Sequence, residues 1–577
     1  MFKCNDKTLH SVLDVVTKNT GMSKEELLHD SKTYTVCGFV PSNPPQYVED
    51  GIMAAAKAIA EAVKAKKKIY ICGDYDVDGI TASSILYLAL HARGVSSTVR
   101  LPRRMSEGYG LSVKAVNECD NGQFLITVDN GISSLEAIKR AKEKKMTVVV
   151  TDHHLPYVNP ETQKIEYPCA DLIVDPNATD FPCDFRGYCG AGLAFKIACV
   201  LLGKNPEIYK LWTIAAIGTL ADSVPLIAEN RRIVRNGLQL MQKHGTMTEG
   251  LKALLQAYQD GGIVDEEMIN YNIAPALNAP GRLNDFGAMD SFHCLTCEVV
   301  SASYLADKLV RANNTRKNLT NTWTRKTIES VQQEYKTTPN AVVAYMEDIP
   351  EGLCGIIAGR VAEKMHVPCF LFANTEDPKV IKASGRTYGD VNLKELLDQN
   401  AKLTVKYGGH AEAAGVSILK SKFEEFKNAV LNSLSDSAGK QNGSVCYDLK
   451  IPSYQVREVV EELKKYGPYG VGNPKPIILM EGVTLVPKGS NYYYPIGTGG
   501  VKLMGPGFNA ISFDGMSHYA ELGHPRSVDL VGELSENVFN GNRTDRLMYT
   551  AICPHVKDTE KSPLKLMLDR RAKSRNT

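Results

Sequence analysis

The sequence has no excess of charge of either sign and no long hydrophobic run. Its 67 Lys and Arg residues stand against 65 Asp and Glu residues, a formal net charge of +2. Bulk charge therefore does not indicate a nucleic-acid-binding protein, and any such role must rest on local patches. The longest apolar stretch, residues 211–228, is interrupted by Asp222 and Pro225 and is too short to span a membrane.

The chain also lacks a dense, evenly spaced cysteine framework. Its 14 cysteines are scattered, which favours a reducing compartment over a disulfide scaffold. Residues 1–7 contain no apolar run and no small-residue cleavage site, so a signal peptide is not expected. We therefore expect a cytoplasmic protein that makes no use of a membrane.

The chain is long enough for three or four domains, because 577 residues exceed what one hydrophobic core organises. Short apolar strands alternate with amphipathic helices from residue 47 to about 235, which predicts a doubly wound α/β domain with a parallel sheet. The predicted strands are residues 66–72, 124–128, 147–151 and 170–174, and the predicted helices between them are 79–93, 133–145 and 191–202. Residues 1–46 form an N-terminal extension with no predicted structure.

The remaining chain divides into four segments. Residues 236–340 read as a helical connector, with one long helix over 301–334. Residues 341–434 repeat the strand–helix alternation in a smaller α/β domain. Residues 444–557 have short strands and Gly/Pro turns without intervening helices, which predicts a small β-barrel or sandwich, and residues 558–577 form a basic tail.

Acidic and imidazole side chains follow three predicted strands of the first domain. Since the carboxyl ends of parallel strands meet at one edge of a sheet, these side chains and one further acid could share a single crevice. So many acids would repel one another unless cations neutralised them. The residues are Asp74, Asp76 and Asp78 after the first strand, Asp129 after the second, Asp152, His153 and His154 after the third, and Asp222 further along.

Oxygen-rich sites with one or two imidazoles suit Mn²⁺ or Mg²⁺ better than a thiolate-binding ion. Two such ions about 3.5–4 Å apart can activate water for in-line attack on phosphorus. The alternative is structural: a lone Asp after a strand usually caps a helix or forms a turn, and Asp129 or Asp222 alone would be interpreted that way. The occurrence of four such segments together favours the metal site.

These segments resemble the successive motifs of the DHH phosphoesterase superfamily. Later motifs narrow the resemblance to the RecJ-type single-strand-specific exonucleases, in the family's order and over about residues 47–555. The later motifs are residues 106–111, 274–282, 355–360, 383–386, 408–415 and 469–474. The resemblance implies a catalytic DHH domain, a helical connector, a DHH-associated second domain and an oligonucleotide-binding (OB) barrel.

The resemblance also implies roles for individual residues. The residues that match metal ligands are Asp76, Asp78, Asp129, His153 and Asp222, with Asp129 as the bridging carboxylate, Asp74 as an alternative ligand or a partner of the ligands, and His154 beside the scissile phosphate. Asp76, Asp129 and His154 are the candidate catalytic residues. Cys72 departs from the pattern, because many superfamily members have a His there. One metal ion could then have fewer protein ligands and more water.

Basic residues at glycine-flanked positions are similar to the family's substrate face. Arg282, Arg360, Arg386 and His410 are expected opposite the metals, because Gly lets a guanidinium approach a phosphate closely. Arg104, with Ser384 and Arg386, is the candidate pocket for a terminal 5′ phosphate. Asn313 and Arg316 on the long helix could follow an entering strand, although a solvated basic face is the alternative there, and any single Arg more often forms a surface ion pair.

The function implied by the resemblance is a 5′→3′ exonuclease that degrades single-stranded DNA to mononucleotides with two Mn²⁺ or Mg²⁺ ions. A single-strand-binding protein is an expected partner, and we expect a monomer. Two alternatives remain: another DHH phosphoesterase, such as an oligoribonuclease or a pAp or cyclic-dinucleotide phosphodiesterase, and a catalytically silent DNA-binding scaffold. The β-rich region after residue 443 argues against the former, and the retained acids argue against the latter.

Overall fold

The computed structural model describes residues 2–29, 32–159, 161–258, 263–299, 301–335, 339–434, 445–487, 489, 491–497, 499–539 and 542–556. The basic tail predicted at 558–577 lies outside the described residues. Within the described ranges, no helix is both long and apolar enough to cross a membrane.

The N-terminal residues are built into two different domains. Their elements are β1 (Lys3–Cys4), α1 (Val12–Thr20), α2 (Lys24–His29), β2 (Gly38–Val40) and β3 (Gln46–Val48). β1 pairs with Cys446 and Tyr447 near the C-terminal barrel, and Val12, Val15 and Val16 of α1 are buried in that domain's core. β2 and β3 instead extend the catalytic sheet by two antiparallel strands. The N-terminal elements therefore connect the C-terminal domain with the catalytic sheet.

The predicted doubly wound domain is confirmed. Its seven-stranded sheet has the order β3-β2-β10-β7-β6-β4-β5, and β10, β7, β6, β4 and β5 are parallel. β4 and β6 are buried along their whole length because helices cover both faces of the sheet. The elements are α3 (Gly51–Lys64), β4 (Ile69–Cys72), α4 (Val77–Ala92), β5 (Ser97–Arg100), α5 (Val113–Glu118), β6 (Phe124–Val128), α6 (Leu135–Glu143), β7 (Thr147–Thr151), the hairpin strands β8 (Tyr157–Val158) and β9 (Ile165–Glu166), β10 (Leu172–Val174), α7 (Gly190–Leu202), α8 (Ile208–Ala221) and α9 (Ala228–Met241).

The connector is helical, as predicted, and ends in one long helix. Its elements are α10 (Glu249–Tyr258), α11 (Glu266–Met268), a π-helical turn (Ile269–Ile273), α12 (Ala274–Leu283), α13 (Gly287–Leu295) and α14 (Ala302–Glu334). α14 has 33 residues, a length of about 50 Å at 1.5 Å per residue. It therefore reaches from the catalytic domain to the second lobe.

The second lobe is a smaller α/β domain, as predicted. Its sheet has the order β11-β12-β13-β15-β14, in which only the β11–β12 pair is parallel. The elements are β11 (Val342–Tyr345), a 3₁₀ turn (Glu351–Leu353), α15 (Cys354–Met365), β12 (Cys369–Asn374), β13 (Val380–Arg386), α16 (Leu393–Gln399), 3₁₀ turns at Ala401–Leu403 and Lys420–Lys422, β14 (Lys406–Gly409), β15 (Ala413–Leu419) and α17 (Phe423–Ser433).

The C-terminal domain is β-rich, as predicted, and wraps one hydrophobic core. The expectation of short strands without helices is wrong: the domain contains an 11-residue helix and two 13-residue strands. Its seven-stranded sheet has the order β17-β18-β22-β23-β21-β20-β19, with register shifts in the β18–β22 and β22–β23 pairs that bend the strands. The elements are β16 (Cys446–Tyr447), β17 (Leu449–Lys450), a 3₁₀ turn (Ser453–Gln455), α18 (Val456–Tyr466), β18 (Ile477–Thr484), β19 (Tyr493–Ile496), β20 (Gly500–Met504), β21 (Phe508–Ser512), α19 (Met516–Glu521), β22 (Ser527–Phe539) and β23 (Asn542–Pro554).

Charged side chains join this barrel to the rest of the molecule. The guanidinium of Arg231 on α9 is buried and donates to the carbonyls of Tyr466 and Gly467, each at 2.8 Å. Glu267 of α11 forms ion pairs with Lys475 at 2.8 Å and Arg546 at 2.6 Å. The barrel is thus fixed to both the catalytic domain and the start of the connector.

Candidate metal centre and substrate face

The first acidic motif turns directly from a strand into a helix. Asp76 caps α4, and its carboxylate accepts hydrogen bonds from the N–H groups of Asp78 and Gly79 at 3.1 and 3.2 Å. Gly79 packs against the backbone of Asp74 so closely that a Cβ atom would collide with it. Two roles are therefore combined in one residue, because the same Asp that caps the helix also faces the crevice.

Asp129 lies at the end of β6 in a left-handed backbone conformation, with φ of 61°. Such a conformation costs free energy in a residue other than glycine and is typical of functional sites. The N–H of Asp129 donates to the carbonyl of Thr151 at 3.1 Å, which fixes the turn to β7. Gly190 at the start of α7 gives the side chain room, because a Cβ there would lie 2.5 Å from the Asp129 Cβ atom.

The His153 imidazole lies close to three carboxylates that come from different elements. Its Nε2 atom lies 3.0 Å from Asp129 Oδ1, 3.6 Å from Asp78 Oδ2 and 3.7 Å from Asp222 Oδ2. Asp222 is the residue that ends α8, so it reaches the crevice from a helix rather than from a strand. The predicted convergence of these acids at one edge of the sheet is confirmed.

Asp78 is held by the N-terminus of a second helix. Its carboxylate accepts hydrogen bonds from the N–H groups of Gly190 and Ala191 at 2.5 and 2.7 Å. The positive end of the α7 dipole therefore stabilises the carboxylate in the buried crevice. One of its oxygens still faces His153, so the side chain can bind a cation while its helix contacts hold it in place.

The carboxylates of the crevice repel one another in the absence of a cation. Burial, then the charge of Asp78, raises the pKa of Asp129 well above its ordinary value, and the same two causes raise the pKa of Asp222 to about 8. In the described part of the chain, the basic side chain within 4 Å of Asp78, Asp129 and Asp222 is His153 rather than a Lys or Arg, and burial lowers the pKa of this imidazole. A divalent cation would compensate this excess of negative charge.

The donor atoms fit divalent cations. Three groups have ligand atoms that all lie within 4.8 Å of one another: Asp129, His153 and His154; Asp78, His153 and Asp222; and Asp74, Asp76 and Asp129. Carboxylate oxygens with imidazole nitrogen are the donor set expected for Mn²⁺, and Mg²⁺ also accepts carboxylates. Asp129 belongs to two of the groups, as a bridging carboxylate should.

Cys72, the departure from the family pattern, lies at the end of β4 and is buried. A hydrogen bond with Cys119, together with burial, raises the pKa of the Cys72 thiol well above its ordinary value. The thiol therefore stays protonated and is a poor metal ligand. Asp74 offers a carboxylate instead, and its Oδ1 atom also accepts the N–H of Gly110 at 3.2 Å.

His154 is positioned by Asp152, which the sequence places among the crevice residues without a role of its own, and by Tyr109, which the sequence does not single out. Its Nδ1 atom lies 2.7 Å from Asp152 Oδ1 and 2.8 Å from the Tyr109 hydroxyl, which also donates to the Asp129 carbonyl at 3.2 Å. Burial alone would lower the pKa of His154, but the hydrogen bond and charge of Asp152 outweigh it and raise that pKa to about 9. His154 is therefore a cation suited to a phosphate oxygen. Both residues lie in motifs that the sequence displayed: Tyr109 within residues 106–111 and Asp152 directly before the His pair.

Arg104 and Arg282 lie together near the first acidic motif. The Arg104 guanidinium stacks 4.4 Å above the Tyr75 ring, and its buried Nη1 atom has no hydrogen-bond partner among the described residues. Burial, then the nearby charges of Arg104 and Arg316, lowers the pKa of Arg282 to about 9. Three guanidinium groups in one region can together bind a phosphate through charge-assisted hydrogen bonds.

Of the two candidate DNA-binding residues on α14, Arg316 remains a candidate, whereas the Asn313 amide is already hydrogen-bonded within the protein. Asn313 is fully buried; it donates to the Tyr258 hydroxyl at 2.9 Å and accepts from Arg316 Nε at 3.0 Å. The expectation that Asn313 follows an entering strand is corrected accordingly: its amide is used inside the helix packing, where it positions Arg316. Arg316 is 8% exposed, and burial, followed by the charge of Arg360, lowers its pKa.

Ser384 and Arg386 of the second lobe lie under α15. A Cβ on Gly355 would be 2.9 Å from Arg386 Nη2 and 3.5 Å from Ser384 Oγ, so glycine leaves space for both side chains. Arg360, further along α15, hydrogen-bonds the Asn321 amide oxygen of α14. The structure thus brings Ser384 and Arg386 together.

The second lobe meets the connector one turn before Gly355. The Arg282 guanidinium lies 3.4 Å from the Gly352 carbonyl, and a Cβ on Gly352 would collide with the Arg282 backbone. His410 is exposed in the turn between β14 and β15, where its Nδ1 atom accepts a hydrogen bond from the Glu412 N–H at 3.4 Å. No contact among the described residues joins His410 to the acids.

The fold and the clustered acids define a two-lobed, metal-dependent phosphoesterase with an additional OB domain. Three family models match the chain: the N-terminal domain of the DHH family over residues 68–219, the DHHA1 domain over 338–436 and the RecJ OB domain over 447–550.

Curated relatives cover nearly the whole chain. Single-stranded-DNA-specific exonuclease RecJ of Haemophilus influenzae is 31% identical over 89% of this chain and 92% of that protein. RecJ of Escherichia coli is 30% identical over 87% of this chain and 90% of that protein. The chain belongs to the RecJ family of single-stranded-DNA-specific exonucleases.

Solved structures agree with this assignment. The crystal structure of RecJ from Thermus thermophilus in complex with Mn²⁺ matches with a TM-score of 0.75 and 26% identity, over 95% of this chain and 76% of that one. A structure of exonuclease RecJ bound to manganese matches with a TM-score of 0.56 and 30% identity, over 67% of this chain and 95% of that one.

Proposed function

We propose that the protein is a 5′→3′ exonuclease that degrades single-stranded DNA to mononucleotides by metal-dependent hydrolysis of phosphodiester bonds. The observation that carries this proposal is the assembly of Asp78, Asp129 and Asp222 around His153 Nε2, all within 3.7 Å. Such an oxygen-rich cluster suits two-metal hydrolysis of a phosphodiester, because two divalent cations stabilise the negative charge of the attacking and leaving oxygens.

The protein's own groups have distinct roles in this proposal. Asp76, Asp78, Asp129, His153 and Asp222 would hold two Mn²⁺ or Mg²⁺ ions, with Asp129 as the ligand shared by both. When bound, such ions act as Lewis acids and lower the pKa of water, which supplies a nucleophile at neutral pH. His154 binds a non-bridging oxygen of the scissile phosphate, because Asp152 keeps its imidazole charged and correctly oriented.

End recognition rests on the cations opposite the metals. Arg104 and Arg386, with the Ser384 hydroxyl, form the binding site for the 5′ phosphate. A phosphate monoester carries more charge than an internal diester, so a cluster of guanidinium groups selects a chain end. This selection gives the reaction its 5′→3′ direction. Arg316 and Arg360 attract the backbone of the strand that follows.

Strand selectivity follows from the two-lobed architecture. The substrate lies between the catalytic domain and the second lobe, where Arg282 contacts Gly352. A cleft bounded by both lobes and by α14 admits one strand and excludes a duplex. The OB domain holds the distal strand, since such barrels bind single strands through aromatic and basic side chains.

The two other candidates have less support. An oligoribonuclease or a cyclic-dinucleotide phosphodiesterase has no use for the OB domain matched at residues 447–550. A silent scaffold would have no need to retain the complete set of acids, nor the unfavourable φ of 61° that aims Asp129 into the crevice. A DNA substrate is consistent with a cytoplasmic location, with action as a monomer and with a single-strand-binding protein as partner, and we include these in the proposal.

The decisive assay compares DNA labelled at the 5′ or the 3′ end, as single strand and as duplex, with matched RNA, in Mn²⁺, Mg²⁺ or EDTA. We expect release of labelled mononucleotide from the 5′ end of single-stranded DNA, and no release in EDTA. Equal digestion of duplex or attack from the 3′ end would contradict the proposal. The protein with Asp129→Asn is the matched inactive control.

A further inference from the structure

The outward face of α12 leads from the metal centre toward the OB domain. Of the positions 273–282, only Pro275, Asn278 and Arg282 are not buried. They continue at intervals of four, three and four residues from Tyr271, which is 74% exposed. At helical periodicity these four side chains share one face. We refer to Tyr271, Pro275, Asn278 and Arg282 as the α12 stripe.

Tyr271 is part of a π-helical turn at the start of the stripe. Tyr271 lies within Ile269–Ile273, where the backbone changes from the short helix α11 to α12. π-helical turns are rare and occur frequently at functional sites. The exposed Tyr271 ring contributes little to the core and is accessible for stacking, and its position in line with Asn278 and Arg282 distinguishes it from other exposed aromatic side chains.

Both ends of the stripe are tied to parts of the proposed substrate path. Arg282 lies in the cation cluster beside Asp76. One turn before Tyr271, Glu267 pairs with Lys475 and Arg546 of the OB domain. From Arg282 to Tyr271 the helix spans roughly 16 Å, which equals about five nucleotides at the spacing of a B-form strand.

Between these ends, the stripe contains the polar side chain of Asn278. The buried Oδ1 atom of Asn278 has no hydrogen-bond partner among the described residues. The Asn278 side chain as a whole is only partly buried, and an amide on an outward face can hydrogen-bond the edge of a nucleobase. An Arg for phosphate, an amide for a base edge and an aromatic ring for stacking are the elements of a single-strand track.

We propose that the α12 stripe binds the single strand on the 3′ side of the scissile phosphate, with Tyr271 stacking on a base several nucleotides from the 5′ end. This inference rests on the proposed function and adds a specific contact to it. Tyr271 gives the enzyme a preference for strands long enough to reach it. The stacking is independent of base identity, because every base presents a π-face.

The test measures kcat/KM on oligonucleotides of about 3 and about 20 nucleotides, the shorter of which cannot reach Tyr271. We expect Tyr271→Ala to lower the ratio of kcat/KM on the long oligonucleotide to kcat/KM on the short one by about fivefold or more. Tyr271→Phe should retain this ratio, because stacking needs the ring and not the hydroxyl. Tyr209→Ala is the matched control: Tyr209 is 47% exposed at the other end of α8 from Asp222. An unchanged ratio in Tyr271→Ala, or no length preference in the wild type, would overturn the proposal.

A binding measurement separates this inference from the proposed function. A fluorescent base analogue is moved stepwise from the 5′ end of a single strand bound to the Asp129→Asn protein. We expect quenching at one internal position, and its loss when Tyr271→Ala is added. Quenching that persists without the ring would refute the stacking role. A wild type that binds the strand with this signature but does not cleave it would contradict the exonuclease proposal alone.

Discussion

Asp152 holds His154 by a hydrogen bond of 2.7 Å between Oδ1 and Nδ1, while its Oδ2 atom accepts the Ile132 N–H at 2.9 Å. Asp152 is fully buried. It therefore positions a histidine without facing the substrate itself. The relationship is the one commonly seen between carboxylates and the histidines of metal sites, where it fixes the orientation of the ring.

Asp152→Asn should retain the fold and lower kcat by about 10–100-fold, the usual cost of losing such a partner. An Asn occupies the same volume but cannot stabilise a charged imidazole. The measurement is kcat on 5′-labelled single strands, together with a circular dichroism spectrum. Asp180→Asn, a change outside the crevice, serves as the control, and an equal loss of kcat in both variants would contradict the positioning role.

Asp129→Asn should abolish turnover and yet raise the melting temperature in EDTA. The substitution removes a carboxyl group from a crevice where burial, followed by the charges of the neighbouring acids, raises the pKa of Asp129. Asn also tolerates the left-handed backbone at this position. Thermal unfolding with EDTA and with Mn²⁺ is the measurement.

In the wild type, Mn²⁺ should raise the melting temperature, because the ion binds the folded state only. In the Asp129→Asn variant, Mn²⁺ should raise the melting temperature much less than in the wild type. A variant that is stabilised by Mn²⁺ as strongly as the wild type would show that Asp129 is not a ligand.

Gly190→Ala should abolish activity, because its Cβ would lie 2.5 Å from that of Asp129 and 3.0 Å from Asp78 Oδ2. The start of α7 would have to move, and it carries the N–H groups that hold Asp78. Gly192→Ala on the same helix is the matched control: its nearest neighbour would be Tyr188 at 3.4 Å, an ordinary contact. Steady-state kinetics of both variants tests the difference, and equal activity would contradict this account of α7.

Arg386→Ala should reduce the preference for a 5′-phosphorylated strand over a 5′-hydroxyl strand by roughly tenfold, the worth of one charge-assisted hydrogen bond. The measurement is kcat/KM on the two substrates. Lys382→Ala is the control on the same strand, since Lys382 pairs with Glu351 on the surface. A preference that stays unchanged in Arg386→Ala would remove this residue from the phosphate site.

Arg231→Met should lower the free energy of unfolding by about 3 kcal/mol, because the Tyr466 and Gly467 carbonyls lose a charged donor. Methionine fills most of the volume without replacing the hydrogen bonds. Denaturant unfolding gives the change. Arg325→Met, at an exposed position on α14, should leave the stability within about 0.5 kcal/mol; a similar loss in both would contradict the interdomain role of Arg231.

Much of the fold could be predicted from the sequence because its signals are local. The alternation of buried strands and helices gives the catalytic domain, and the long run without helix breakers gives α14 as found, within one residue. The acids of the crevice could also be predicted, since each follows a strand or closes a helix at the same edge of the sheet. What could not be predicted depends on contacts between distant segments.

The N-terminal residues illustrate that limit. β1 consists of only two residues and pairs with Cys446 and Tyr447, a partner more than 400 positions away, so no local pattern reveals it. Asn313 is a second case: helical periodicity does not distinguish an amide that binds DNA from one that hydrogen-bonds Tyr258 and Arg316 inside the protein. Tyr109 is a third, because its contact with His154 joins a loop to the end of β7.

The most direct test of the central claim is an anomalous-scattering map from crystals of the protein soaked in Mn²⁺. We expect two peaks about 3.5–4 Å apart, both within coordination distance of Asp129, with His153 and Asp222 at one of them. If the protein used for the crystals is active in solution, a map with no peak in contact with Asp129 and His153 would contradict the account.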